Sequence, residues 1–254
     1  MAYFNYQSHK VYYQETGDGT PLLMLHGNTA SSAMFHEIAA KYAQDYKVIL
    51  IDFLGCGKSD RVQTWAEDLW YDEAMQAICL LEEKGYQRIN IIGTSGGALA
   101  ALNVALERPN LVNKLIADSF EGERANPAVT ETLRLGREAS KQNPGVRMFY
   151  EMMNGADWES VIDADTQAVI AHADHIVNFF HKPLAELKTD ILLTGSRQDP
   201  LFPTGFYDKM FAQLLEKIGH GKQHLFNRGD HPAMLSNQDE FIAMSKAFFE
   251  SMTN

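Results

Sequence analysis

The sequence predicts a single α/β domain: a mostly parallel central sheet of about eight strands, helices on both faces, and an inserted helical cap at 121–187. Three observations predict it. Short, mostly apolar runs recur at 22–25, 48–53, 89–92, 111–117, 191–193 and 223–226, and such runs read as strands buried on both faces. From 22 to 119 these runs alternate with helical stretches, and a strand–helix–strand repeat calls for parallel pairing through crossovers. The alternation then stops between about 121 and 188, where helical stretches are broken at Asn126-Pro127, Asn143-Pro144-Gly145 and Asn154-Gly155, and it resumes afterwards. Residues 1–120 and 188–254 therefore read as one core domain.

Composition agrees with this and narrows the partners. A chain of 254 residues, 45% hydrophobic and 22% charged, suits one large soluble α/β domain. The formal net charge of −11 argues against nucleic acid and anionic membrane surfaces, which need Lys/Arg footprints. No apolar run approaches the ~18 residues of a membrane span, and the stretch from Met1 to Gln7 lacks the basic and apolar regions of a signal peptide. Cys56 and Cys79 alone make no disulfide framework. A cytoplasmic monomer or homodimer acting on a small molecule is expected.

The elements follow in order. Residues 3–15 alternate aromatic and polar side chains (Phe4, Tyr6, Val11, Tyr13) and read as two strands joined near Ser8-His9. A turn at Gly17-Asp18-Gly19-Thr20-Pro21 leads to the 22–25 strand. Residues 31–42 read as a helix with Met34, Phe35, Ile38 and Tyr42 on one face. After strand 48–53, Thr64-Trp65-Ala66-Glu67 has the spacing of a capping box, predicting a helix through Met75, Ile78 and Leu81 that stops at Gly85. The helix after 89–92 runs to about Arg108-Pro109. Helices over about 204–218 and 237–251 complete the pattern, the last with Phe241, Met244, Phe248 and Met252 facing inward.

The chemistry centres on 89–97. The apolar run passes directly into Gly93-Thr94-Ser95-Gly96-Gly97 and then into an Ala- and Leu-rich helical stretch. Gly-x-Ser-x-Gly is common by chance. Between a buried strand and a small-residue helix it describes a turn too tight for large neighbours, with the Ser95 hydroxyl lifted at a helix N-terminus. Serine is a weak nucleophile until a base takes its proton and a third group orients that base. Asp199 and His231 each follow a late strand, at the strand ends where parallel sheets carry their sites. The chain order Ser95, Asp199, His231 is the one this arrangement requires. Asp118 and Glu121 could reach the same histidine and stay open as alternative acids. The backbone N–H groups of Gly96 and Asn28 are the expected oxyanion donors, with the Asn28 side chain free to line the pocket. His26 reads as a structural histidine bonded to loop backbone.

Taken together, His26-Gly27-Asn28, Asp52-x-x-Gly55-x-Gly57-x-Ser59, Gly93-Thr94-Ser95-Gly96-Gly97, Asp199-Pro200 and Gly229-Asp230-His231-Pro232 resemble the α/β-hydrolase superfamily over essentially the whole chain. The resemblance implies a carboxylesterase-like enzyme with nucleophile Ser95, acid Asp199, base His231 and oxyanion donors Asn28 and Gly96. It also implies that the cap covers the pocket, and it calls for no metal or organic cofactor. The expected activity is hydrolysis of small or medium carboxylic esters through an acyl-enzyme on Ser95. Carbon–carbon bond hydrolysis or lyase chemistry, perhydrolysis, and ligand reception without turnover remain as alternatives. The 26–32 loop resembles that of haloalkane dehalogenases, but those enzymes, like epoxide hydrolases, carry an aspartate where this chain has Ser95. The paired glycines and proline that follow His-Gly in proline iminopeptidases are absent.

Other signals carry less. Gly57-Lys58-Ser59 looks like the end of a phosphate-binding loop, but Asp52 stands where that loop needs glycine. His172, Asp174, His175 and His181 read as a solvated polar face rather than metal ligands, and Cys56 as a tight-loop residue. The Met and aromatic residues of the cap (Met148, Phe149, Met152, Met153, Trp158, Phe179, Phe180) are expected to divide between packing and pocket lining.

Overall fold

Residues 2–251 are described by a computed structural model. Strands β1 (Ala2–Tyr6), β2 (His9–Thr16), β3 (Thr20–Leu25), β4 (Tyr46–Asp52), β5 (Ile89–Thr94), β6 (Val112–Asp118), β7 (Asp190–Ser196) and β8 (Lys222–Phe226) form one sheet. Their order is β1-β2-β4-β3-β5-β6-β7-β8. β1 pairs antiparallel with β2 and β2 with β4; every other pair is parallel. Gln7 and Ser8 take positive φ (46° and 72°), so two residues suffice to reverse the chain between β1 and β2.

Parallel neighbours need longer crossovers. These are α1 (His36–Tyr42, entered through a 3₁₀ turn at Ser32–Phe35), α2 (Leu69–Glu83) and α3 (Gly96–Glu107). Between β6 and β7 come α4 (Pro127–Ser140), α5 (Pro144–Asn154) and α6 (Trp158–Ala171); then α7 (Phe206–Ile218), α8 (Ala233–Ser236) and α9 (Gln238–Glu250). Strand residues alternate between two cores. Leu23, Leu25, Ile49, Ile51, Ile91 and Leu193 face α2, α3 and α7. Leu22, Met24, Val48, Leu50, Ile92 and Leu192 face α1 and α9. Each such side chain, removed from water, contributes roughly 1.5–3 kcal/mol. Coverage on both faces is why the strands read as unbroken apolar runs rather than alternating ones.

The helices between β6 and β7 begin where the sequence signals them. Asn126 accepts a hydrogen bond from Ala128 N (3.0 Å), and Asn143 accepts from Gly145 N (3.0 Å) and Val146 N (3.3 Å); a proline follows each cap. The two ends of this segment meet. Ala125 N donates to Val177 O (2.8 Å) and Phe179 N to Glu123 O (3.0 Å), so α4–α6 branch from one neck.

Several sequence expectations give way to tertiary contacts. α2 starts at Leu69, with no side-chain cap from Asp68. The 64–67 stretch is taken up otherwise: Trp65 packs on Gly55, and the Glu67 carbonyl lies 3.2 Å from His172 Nδ1. His172 is not solvated but buried against Trp70 and Phe179, with ring centroids 4.8 and 5.4 Å away. Met148 and Met152 are 68% and 64% exposed and neither pack nor line the pocket. The closing helix keeps its expected bounds as α9, with the short α8 before it; Phe241 is buried, Met244 and Phe248 partly so, and Met252 lies outside the described residues. Among the described residues no three His, Cys, Asp or Glu side chains gather as a metal site, and no helix is long and apolar enough to cross a membrane.

Candidate active site

β5 ends at Thr94 and α3 begins at Gly96, so Ser95 alone turns the chain. It does so at φ 55° and ψ −125°, a region that costs a non-glycine residue roughly 1–3 kcal/mol. The surroundings impose the turn. A Cβ on Gly93 would overlap the Gly97 carbonyl oxygen, and one on Gly97 the Leu25 carbonyl oxygen. Only glycines let β5, α3 and β3 close so tightly. Ser95 N donates to Asp118 O (2.8 Å), which ties the turn to β6.

Ser95, His231 and Asp199, far apart in the chain, form one row. His231 Nε2 lies 3.0 Å from Ser95 Oγ, and Nδ1 lies 2.7 Å from Asp199 Oδ2. Asp199, 4% exposed, also accepts from Leu201 N (2.9 Å) and the Tyr207 hydroxyl (2.8 Å). Burial pushes the Asp199 carboxyl up, but His231 and these donors together hold it below the usual carboxylate value. An ionised carboxylate only accepts, so His231 carries its proton on Nδ1 and turns a lone pair on Nε2 toward the serine hydroxyl. Burial and the neighbouring Asp199 push the Tyr207 phenol far up, so it remains a donor. Nothing local in the sequence marks Tyr207 for this part.

Asn28 and Gly96 line the same cavity, about 420 Å³, as Ser95 and His231. Among the described residues no protein acceptor takes the N–H of either. The Asn28 side chain, expected to be free, is tied at both ends. Its Oδ1 accepts from Trp70 Nε1 (3.2 Å), and its Nδ2 donates to both Asp165 oxygens (3.1 and 3.3 Å). Thr29 N donates to Asp165 as well (2.9 Å). Asp165 belongs to α6 and is paired at 2.6 Å with Arg137 of α4, their side chains 1% and 10% exposed. The loop that carries Asn28 is therefore held by the helical segment. Sequence reading missed Asp165 and Arg137 because each is a lone charge within a helix.

The remaining candidates separate cleanly. Phe53 N donates to His26 Nε2 (3.1 Å), so His26 donates through Nδ1 to Gly27 O (2.9 Å); burial lowers its pKa, and it serves as loop structure. Neither Asp118 nor Glu121 hydrogen-bonds His231. Asp118 is fully buried and accepts from Thr94 Oγ1 (2.9 Å), Thr194 Oγ1 (2.7 Å) and Met234 N (3.1 Å). It ties the ends of β5 and β7 to α8 beneath the Ser95 turn. Burial raises its pKa to about 6 despite these donors. Glu121 lines the cavity, whose apolar wall comes from Leu99, Phe120 and Phe202 of the core and Val129, Leu133 and Val169 of the helical segment.

Comparison with known proteins extends this geometry. A family model described as alpha/beta hydrolase fold matches residues 20–147. The chain is 27% identical to the 2-hydroxy-6-oxo-6-phenylhexa-2,4-dienoate hydrolase of Comamonas testosteroni, over 94% of this chain and 90% of that protein. It is 33% identical to a proline iminopeptidase of Clostridium botulinum, over 95% and 94% of the two chains. The solved structure of an esterase from Exiguobacterium antarcticum superposes with a TM-score of 0.75 at 20% identity, over 96% of both chains. At that identity the likeness concerns the fold alone.

Proposed function

The chain belongs to the α/β-hydrolase family, and on that premise we propose that it is a serine hydrolase cleaving small or medium carboxylic esters through an acyl-enzyme on Ser95. One observation carries this reading: the row from Ser95 Oγ through His231 to Asp199, with hydrogen-bond distances of 3.0 and 2.7 Å, opening on a largely apolar cavity. In the proposed sequence His231 Nε2 takes the hydroxyl proton as Oγ adds to the ester carbonyl carbon. The Asn28 and Gly96 N–H groups donate to the resulting oxyanion. His231, now a cation beside Asp199, protonates the leaving alkoxide. Water, deprotonated in turn by His231, adds to the acyl-enzyme and releases the acid with Ser95 restored. Residues 121–187 act as a cap that keeps bulk water from the cavity, and Asp165 positions the loop carrying Asn28.

A second reading is favoured by the relatives. A 2-hydroxy-6-oxo-dienoate carries a ketone but no ester, so a hydrolase acting on it must break a carbon–carbon bond. The same serine could add to a ketone, but the leaving carbon would then need a proton.

Incubation with a fluorophosphonate followed by peptide mapping tests the nucleophile. A single adduct on Ser95, lost in His231→Ala, supports it; an unlabelled Ser95 overturns it. Turnover of graded p-nitrophenyl esters against loss of a 2-hydroxy-6-oxo-dienoate chromophore then separates the two bonds.

A further inference from the structure

Glu121 is the acidic side chain that the proposed reaction leaves unused. It lies three residues beyond the end of β6 and lines the cavity that holds Ser95 and His231. The other charged groups at this cavity are matched. His231 faces Asp199 at 2.7 Å, and the Arg137 guanidinium lies 2.6 Å from Asp165. Asp165 and Asp199 are themselves bonded to several donors. Glu121 has no such counterpart. Its Oε2 is shut off from solvent with no hydrogen-bond partner, and no basic side chain contributes to its electrostatic environment. Burial pushes its pKa up to about 7, with the Asn126 amide pulling part of the way back.

A buried carboxyl oxygen without a partner, as Oε2 of Glu121 is, is unfavourable, and native proteins carry few of them. Placed in a reaction cavity, such a group is a candidate for contact with ligand. We propose that Glu121 is a specificity-determining residue that binds a hydrogen-bond-donating group, an amine before a hydroxyl, on the part of the substrate away from the scissile carbonyl. This rests on the serine-hydrolase reading of the same cavity. An ammonium group would keep Glu121 ionised and form a charge-assisted bond, about twice as strong as a neutral one. A substrate carboxylate would meet an unmatched like charge, because the Arg137 charge is already directed to Asp165. The site therefore selects against anionic substrates, unlike a site built for a dienoate.

Four ethyl esters of similar size test this: butanoate, 3-hydroxybutanoate, 3-aminobutanoate and hydrogen succinate. The wild type is expected to favour the amino ester over the butanoate by roughly tenfold or more in kcat/KM, with the succinate last. In Glu121→Gln, which keeps the shape and removes the charge, that ratio falls toward one. A merely structural role would lower all four together and leave the ratio intact. Calorimetric titration of the same esters into Ser95→Ala reads the preference without turnover, and the amino ester's advantage disappears in Ser95→Ala/Glu121→Gln. Equal binding of the four esters, a ratio unchanged by Glu121→Gln, or a best substrate in the succinate each overturns the Glu121 assignment. Selective binding of the amino ester without turnover in the wild type overturns the ester-hydrolase reading and leaves Glu121 in place.

Discussion

The two halves of the cavity are built by different means. On the sheet side, Ser95, Asp199 and His231 stand on the turns that follow β5, β7 and β8, so strand register alone brings them to one edge. On the helical side, Asp165 of α6, paired with Arg137 of α4, reaches across to Asn28 and Thr29, more than a hundred residues earlier in the chain. The sheet side is over-determined by backbone pairing and two cores. The helical side is held by that buried ion pair, by Asn154 and the Met153 carbonyl against Thr29, Gly57 and Ser31, and by Phe179 beside Trp70. The proposed chemistry thus stands on the half set by strand register, while the loop bearing Asn28, a proposed oxyanion donor, is held by contacts from the other half.

The sharpest test of this contrast is Ser95→Ala. It should lower turnover by at least ~10³-fold while the urea midpoint holds or rises, since the hydroxyl supports no packing and Ala stays small in the strained turn. A parallel collapse of stability would show that the sheet side is not independent of its chemistry. On the helical side, Asp165→Asn should reduce stability and activity together. It leaves Arg137 buried without its counter-charge, a loss of roughly 3–5 kcal/mol, and loosens Asn28 and Thr29, so kcat falls more than KM changes. A variant that keeps wild-type kcat would separate the loop from the segment.

Glu121 and Asp199 sharpen the comparison within the cavity itself. Asp199 is held below its ordinary range by His231 and two other donors, whereas Glu121 is pushed up to about 7 from 4.5 by burial. The folded protein therefore binds the Glu121 proton more tightly than the unfolded chain does. The resulting penalty is absent below about pH 4.5, grows as pH rises through 7, and is complete above it, reaching up to roughly 3 kcal/mol. Glu121→Gln should accordingly stabilise the protein at pH 8 and lose that advantage near pH 4.5, as read by urea melts at the two values. An advantage that does not change with pH would mean that folding leaves the Glu121 pKa near its ordinary 4.5. The smallest expected effect is Tyr207→Phe. Removing one donor to Asp199 should cost about 1–1.5 kcal/mol, visible as a rise in the acid-limb midpoint of kcat/KM, because the carboxylate is then less well held.

Much of the sheet side was legible beforehand. The elbow around Ser95 is a local feature: a buried strand, small residues on either side and a helix forming directly after. Asp199 and His231 were found by the same reasoning, because a parallel sheet sends its strand ends to one edge whatever packs around them. The starts of α4 and α5 were legible for a similar reason, since Asn126 and Asn143 satisfy helix N–H groups within three residues of themselves. Expectations failed where a distant partner intervened. The apparent capping box at Thr64 and Glu67 gave way to packing of Trp65 on Gly55, and His172 left the solvated face for a slot beside Trp70.

The sequence by itself determined the α/β fold, the tight turn at Ser95 and the order of the three residues that meet there, because each depends on hydrophobic period and turn sterics over a few residues. Tertiary structure alone decided that Asp165 holds the Asn28 loop, that Tyr207 supports Asp199, and that Glu121 faces the cavity unmatched. Those outcomes depend on which side chains from distant elements share a low-dielectric space, where the presence or absence of one donor sets the charge state, and no local pattern of residues encodes that.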